Sequence, residues 1–462
     1  MIIEQLYTKC LAEAAYYIES NGEVAIIDPM RETDQYIKMA TNNGAKIKYV
    51  FETHFHADFV SGHIDLAKKT GAKIIFGPTA KTNYDTIVAQ DNEEFKIGDV
   101  TIRVLHTPGH TLESSTYLLI DENGKEHALF TGDTLFLGDV GRPDLAIKQG
   151  KITKEDLAGM LFDSLRNKVM KFSDDIVIYP GHGAGSSCGK SLSTETVGTL
   201  GEQKKSNYAL RADMTKEEFV KEVCEGILPP PQYFPKNASL NKNGYEEFDN
   251  VLLAGNKALS LDEFNQEVNS GALILDVRNQ EDFGKGFIPN SLFIGLNGTF
   301  AMWVGALIED IKQKIVLIVP EGHEEEAVTR LSRVGYDNTV GFLDGGIGSY
   351  EGSLNTVKSI TAEELETVSN ANIVDVRKPG EFSSEHVVDA IHYPLDFMNS
   401  ELDKLEMNTT YQIHCAGGYR SVIAISLLMQ NGYTQLVNVL GGYGAIKETE
   451  INKSEYVCPS TL

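Results

Sequence analysis

Short apolar runs separated by loops dominate the first half of the chain: Val24-Ala25-Ile26-Ile27 ahead of Asp28, Tyr49-Val50-Phe51, Ile74-Ile75-Phe76, Val104-Leu105, Ala128-Leu129-Phe130 and Ile176-Val177-Ile178-Tyr179. Runs this short, rich in β-branched and aromatic residues, predict buried strands, and the segment Ile64 to Thr70 predicts a helix packed outside them. Nearly every histidine or aspartate of chemical interest follows such a run, so strand ends are expected to deliver these side chains to one rim. Phe219, Val220, Val223 and Ile227 form a helical stripe that takes Cys224 into a core.

Four of the 14 prolines fall together from Pro229 to Pro235, followed by the polar stretch Asn237 to Asn243; this predicts a linker or a rigid wrap-around segment. Beyond it the chain repeats itself. Leu275-Asp276-Val277-Arg278 with Phe283 recurs 99 residues later as Val374-Asp375-Val376-Arg377 with Phe382. Gly335-Tyr336 and Leu343-Asp344-Gly345-Gly346 are answered by Gly432-Tyr433 and Leu440-Gly441-Gly442. Each copy predicts a small βα domain on a parallel sheet covered on both faces.

A chain of 462 residues suggests two to four domains at roughly 100 to 200 residues each. The formal charge of -25 repels nucleic acid and anionic membrane, leaving small molecules as the expected partners. No apolar run approaches the roughly 20 residues of a membrane span, and the start lacks a basic, signal-like stretch, so a cytoplasmic protein is expected. Five cysteines without a CxxC pair fit a reducing compartment.

The candidate chemistry begins with His54-Phe55-His56-Ala57-Asp58, set directly after a predicted strand. Two histidines one residue apart can turn toward one ion, with distant His110 and Asp133 completing a shell that suits zinc or iron(II). Together with Thr107-Pro108-Gly109-His110, Thr131-Gly132-Asp133 and Pro180-Gly181-His182, this block resembles the metallo-β-lactamase superfamily over roughly the first 240 residues. The resemblance implies an αββα sandwich. In hydrolytic members the first block ends in a further histidine that binds a second metal, but here Phe59 stands there. One metal is therefore favoured: zinc could activate water, whereas iron(II) would leave positions open for a thiolate-type substrate and dioxygen.

Ala57-Asp58-Phe59-Val60-Ser61-Gly62-His63 and Gly138-Asp139-Val140-Gly141-Arg142-Pro143-Asp144 resemble persulfide dioxygenases more narrowly. That resemblance implies one Fe(II) per chain on His54, His110 and Asp133. It also implies supporting roles for His56, Asp58 and His182, the first as a nearby water or hydrogen-bonding partner. Arg142 matches an arginine near the substrate channel, with an internal salt bridge to Asp139 or Asp144 as its alternative use. Cys188, in a glycine-rich loop after His182, is a candidate channel thiol with a catalytic role, or else a compact filler.

Ile413-His414-Cys415-Ala416-Gly417-Gly418-Tyr419-Arg420 ends a predicted strand and opens the apolar helix Val422 to Met429. Loop amides, a helix N-terminus and Arg420 beside Cys415 favour a thiolate, and Gly417 and Gly418 permit the backbone such a substrate cradle needs. Phosphatases carry one more residue between cysteine and arginine; the tighter loop here resembles rhodaneses, which carry sulfane sulfur. The earlier copy has Val319-Pro320-Glu321-Gly322-His323 instead, with neither cysteine nor arginine, and is expected to be silent.

The whole arrangement resembles the persulfide dioxygenase-sulfurtransferase fusion proteins of bacterial sulfide detoxification. The expected layout is a dioxygenase domain over 1–240 with a Pro-rich linker to about 255, a degenerate rhodanese-like α/β domain over 256–352 and an active one over 356–455. A small thiol persulfide, O2 and sulfite are the implied reactants, in a homo-oligomer. The competing expectation is a zinc thioester hydrolase of the glyoxalase II type, fused to a sulfur-carrier or docking module.

Overall fold

Alternate residues along the N-terminal strands serve two different layers. In the computed structural model, which describes residues 1–147 and 151–458, the first sheet runs in the order β1 (Ile2–Thr8), β2 (Glu13–Ser20), β3 (Glu23–Ile27), β4 (Lys46–Glu52), β5 (Lys73–Phe76) and β6 (Ile87–Val88). The second is built from β7 (Glu94–Ile97), β8 (Val100–His106), β9 (Ser115–Ile120), β10 (Glu126–Gly132), β11 (Val177–Pro180) and β12 (Gly198–Thr199) in reverse order. Ile18, Ile27, Phe51 and Ile75 face Phe95, Ile102, Tyr117 and Phe130 between the sheets. Their neighbours Tyr17, Ile26 and Val50 point the other way, onto Tyr36, Ala40 and Leu66 of the helices Asp34–Asn42 and His63–Thr70. Leu118, Leu129 and Ile178 likewise meet Leu161, Leu165, Phe219 and Val223 of the helices Lys154–Asn167 and Lys216–Cys224. Strands buried on both faces explain the continuous apolar runs, each fully buried large side chain contributing about 1.5–3 kcal/mol. The result is the expected αββα sandwich.

The stretch read as a linker or a rigid wrap-around segment contains a helix. Phe234–Asn243 is a helix of the N-terminal unit, and Asn237 and Asn241 in its polar stretch are fully buried. Cys224 lies at the edge of the core, half-buried, with its thiol toward the Lys154 carbonyl.

The chain divides into two compact units, Met1–Asp249 with Ser332–Gly335, and Asn250–Leu331 with Tyr336 onward. The second holds two five-stranded parallel sheets. Strands β13 (Ala258–Leu259), β14 (Leu273–Asp276), β15 (Leu292–Phe293), β16 (Ile315–Ile318) and β17 (Thr339–Leu343) lie in the order β13-β17-β16-β14-β15. Strands β18 (Lys358–Ile360), β19 (Asn372–Asp375), β20 (Ile391–His392), β21 (Tyr411–His414) and β22 (Leu436–Val439) repeat it as β18-β22-β21-β19-β20. The sequence repeat has a structural counterpart in a clamp. Arg278 forks onto Asp276 and donates to the Gly286 carbonyl at 2.8 Å; Arg377 forks onto Asp375 and donates to the Glu385 carbonyl at 2.8 Å.

Candidate functional site

Strand ends of both N-terminal sheets supply one buried cluster. His54 follows β4, His110 follows β8, Asp133 follows β10 and His182 follows β11. His110 Nε2 lies 3.4 Å and His54 Nε2 3.9 Å from Asp133 Oδ2. These three atoms are buried and have no hydrogen-bond partner among the described residues. Leaving even one buried polar atom unsatisfied costs about 1–3 kcal/mol, so three that converge fit a divalent metal ion.

The opposite atoms of the same side chains are tied down. His110 Nδ1 donates to the Arg142 carbonyl at 2.9 Å. His54 Nδ1 lies 3.0 Å from Thr53 Oγ1, whose own hydrogen goes to Asp28 Oδ2 at 2.7 Å. Both contacts place the proton on Nδ1 and leave Nε2 as a bare lone pair. Burial, followed by neighbouring His56, pushes the His54 pKa well down, which keeps the imidazole neutral. Asp133 Oδ1 accepts from His182 Nδ1 at 2.8 Å, and His182 Nε2 meets Asp58 Oδ2 at 2.7 Å. Burial alone would raise Asp133, but the charge and hydrogen bond of His182, with His110 and His54, hold it well below the usual carboxylate range. Burial works against the His182 cation, and the Asp133 and Asp58 carboxylates outweigh it, raising its pKa well above the ordinary value. Both ring nitrogens of His182 are thus engaged with carboxylates of the cluster.

His56 lies close by, its ring 4.2 Å from that of His54, but it faces elsewhere. Its Nε2 is 3.0 Å from Asp28 Oδ1 and 3.6 Å from Glu52 Oε2. Asp28 and Glu52, both buried, are functional neighbours that the motif reading passed over; the clue was a carboxylate closing an apolar run. Asp28 is already committed to the Thr53 amide and hydroxyl, at 2.7 Å each. Phe59 is buried with its ring 4.4 Å from that of His56 and supplies no ligand. Asn241 braces this loop from the Phe234–Asn243 helix, accepting from the Ser61 amide at 2.9 Å and donating to the His56 and Phe59 carbonyls at 2.8 Å each. Nothing in its polar surroundings singled it out.

Arg142 and Cys188 both lie beside this cluster. Arg142 forks onto Asp144 at 2.7 and 2.8 Å and also donates to the Ser187 and Leu228 carbonyls, so it has no free fork for a substrate carboxylate. Its contribution to the site is the carbonyl that holds His110. Cys188 does reach the cluster, near Asp58 and His182. Burial, reinforced by the Asp58 and Asp133 carboxylates, pushes its thiol well up.

In the C-terminal copy Cys415 is buried, and Gly418, in left-handed backbone at φ +100°, donates its amide to Sγ at 3.1 Å. Gly418 caps the helix Tyr419–Gln430, whose positive end faces the sulfur. Ser421 Oγ lies 3.7 Å from Sγ and donates to Asn438. Gly417 is exposed. Arg420 forks onto Glu381 at 2.6 and 2.8 Å. In the earlier copy the corresponding Gly322 amide goes to Glu324 at 3.1 Å, and His323 pairs with Glu326 at 2.9 Å.

Sandwich and buried ligand cluster define a metal-binding αββα protein joined to tandem parallel-sheet domains. A Metallo-beta-lactamase superfamily model matches residues 8–182, and a Rhodanese-like domain model matches 260–353 and 361–449. A metallo-beta-lactamase from Staphylococcus aureus subsp. aureus COL is 32% identical at TM-score 0.65, the match covering 74% of this chain and 98% of that one. The chain belongs to the metallo-β-lactamase superfamily and carries two rhodanese-like domains. A probable hydroxyacylglutathione hydrolase of Schizosaccharomyces pombe is 32% identical over 36% of this chain, which spans 60% of that relative's length. Glyoxylase B2 of Dictyostelium discoideum is 27% identical over 52% of this chain and 84% of its own. Among the described residues no helix is long and apolar enough to cross a membrane.

Proposed function

We propose that the N-terminal domain, residues 1–240, oxidises a low-molecular-weight thiol persulfide with O2, and that Cys415 transfers sulfane sulfur to the sulfite formed. The observation that carries this reading is the triad His54, His110 and Asp133, whose buried Nε2 and Oδ2 atoms converge without a partner among the described residues. Phe59 stands where a further histidine would serve a second ion, and His182 lies between Asp133 and Asp58. An Fe(II) ion on this triad would supply redox chemistry toward dioxygen together with open positions for a thiolate. The protein's part is to hold both Nε2 lone pairs bare through Arg142 and Thr53, and to exclude water from a cluster whose members are all buried. Persulfide, dioxygen and water give thiol, sulfite and two protons.

At the second site the Cys415 thiolate attacks the outer sulfur of a persulfide, releasing thiol, and the loaded cysteine passes that sulfur to sulfite as thiosulfate. The Gly418 amide and the helix end stabilise the anion in both states. The domain over 256–352, whose loop amide is taken by Glu324, carries no sulfur. A cytoplasmic setting suits a chain in which no disulfide joins the described cysteines.

The relative named as a hydroxyacylglutathione hydrolase favours a second reading, a zinc thioester hydrolase on the same triad. Oxygen uptake by Fe(II)-loaded protein given glutathione persulfide or coenzyme A persulfide separates the two, with zinc-loaded protein and His110→Ala as controls. Uptake confined to the iron form, with sulfite or thiosulfate appearing, is the expected result. Thioester hydrolysis by the zinc form without any uptake overturns it.

A further inference from the structure

The helix that opens on the Cys415 loop is seated on the other copy. The amide of Phe293, in the short edge strand β15, donates to Ser426 Oγ at 3.0 Å, and Gln430 donates to the Asn290 carbonyl at 2.7 Å. At the helix's first residue the two copies meet again. Tyr419 donates its hydroxyl to the Gly295 carbonyl at 2.7 Å, and its ring stands 5.9 Å from that of Phe293. A side chain at Gly298 would collide with that ring, its Cβ falling 2.3 Å from Tyr419 Cζ. Arg330, itself buried and paired with Glu326, holds the receiving turn by donating to the Leu296 carbonyl at 2.6 Å.

We infer that the cysteine-less copy positions the sulfur-transfer loop of the other, with Tyr419 as the positioning residue and the turn Gly295–Gly298 as its seat. The inference rests on Cys415 being the sulfur carrier proposed above, and it assigns the earlier copy a task beyond filling space. Cys415 is anchored within its own copy, since its carbonyl accepts from the Tyr443 amide at 2.6 Å. The amide aimed at its sulfur is differently placed. Gly418 adopts a backbone that nothing in a glycine enforces, and the residue bonded to it is Tyr419, fixed from the neighbouring copy. The helix after Gly418 is fastened to its own sheet, through Ser421 on Asn438, and at Tyr419 to the neighbouring copy, so the Sγ to amide distance depends on both. Arg420, committed to Glu381, does not substitute for the donor.

The test measures the pH dependence of Cys415 alkylation by iodoacetamide, read by peptide mass spectrometry in the full chain, for wild type, Gly298→Ala, Tyr419→Ala and Tyr419→Phe. Sulfur transfer from thiosulfate to cyanide is measured in parallel. Moving the donor by a few tenths of an ångström or more is expected to raise the alkylation midpoint by about one pH unit in Gly298→Ala and Tyr419→Ala. Transfer at neutral pH should fall about tenfold. Tyr419→Phe, which keeps the ring and loses one hydroxyl, should restore more than half of the shift. If Gly298→Ala does not fold, Tyr419→Phe against Tyr419→Ala decides alone. Profiles of all three variants that superimpose on wild type overturn the inference. The alkylation profile reads the thiol's surroundings whether or not the chain transfers sulfur, so wild-type protein inactive with thiosulfate would count against the proposed reaction and leave the positioning test intact.

Discussion

Asn241 reaches the metal loop with all of its polar atoms at once. Replacing it by alanine strands the Ser61 amide and the His56 and Phe59 carbonyls in a buried setting. We expect Asn241→Ala to lose about 2 kcal/mol in a denaturant titration and to weaken metal binding, although the residue touches no metal ligand side chain. A loss below about 0.5 kcal/mol would mean the loop holds itself. Glu381 offers a prediction in pH. Burial alone would raise it, but the Arg420 fork and charge outweigh that and hold its carboxyl below the ordinary range. A depressed folded pKa gives stability that is present above the ordinary carboxylate value, about 4.3, and lost as pH falls through the depressed one. Wild type should therefore lead Glu381→Gln in melting temperature near neutrality by no more than about 1 kcal/mol of stability, as the pair is partly solvated, and the lead should fade below about pH 4. A lead that persists to pH 2 would assign the effect to packing.

The helix Lys154–Asn167 shows how an element far from the chemistry can hold a ligand. Its Ser164 hydroxyl donates to the Pro108 carbonyl at 2.7 Å, and Gly109 lies so close to Leu161 that a Cβ there would fall 2.4 Å from Leu161 Cβ. The loop bearing His110 is pressed onto this helix, which starts with a capping box between Thr153 and Asp156. Thr153→Ala should cost about 1 kcal/mol and weaken metal affinity less than His110→Ala does, as read by competition with a coloured chelator. Equal losses of affinity would show that the cap fixes the ligand directly. Strands of this kind were legible in the sequence because burial on two faces writes an unbroken apolar run. The convergence of His54, His110 and Asp133 was legible too, because each follows such a run, the last two directly after a glycine. The Phe234–Asn243 helix was not, since its inward residues are asparagines that read as linker. The partner of Arg142 was narrowed to Asp139 or Asp144, and that of Arg420 was hidden. Asp139, Asp144 and Glu381 are chemically alike in sequence, and only tertiary placement decides which carboxylate receives a fork.

At the scale of the molecule, ligand and stability are linked through one unit. A metal that binds the folded triad and not the unfolded chain stabilises by mass action, about 2.7 kcal/mol when free metal is 100 times its Kd. Calorimetry of metal-free and metal-loaded protein should show an upward shift in the transition of Met1–Asp249 and none in that of the C-terminal unit. A shift shared by both would show that they unfold as one.

The paired Asp and Arg clamp carries a consequence for how such chains are compared. Asp276 with Arg278 and Asp375 with Arg377 have the same fork and the same carbonyl eight residues on from the arginine, yet only one copy has a cysteine in the loop after its fourth strand. The clamp therefore belongs to the architecture that outlives the reaction. A census of working domains made from that signature would count two here, whereas one made from the loop after the fourth strand of each copy would count one. Duplicated chains of this build carry an internal control, in which whatever both halves retain maintains the fold and whatever only one retains is under selection for chemistry.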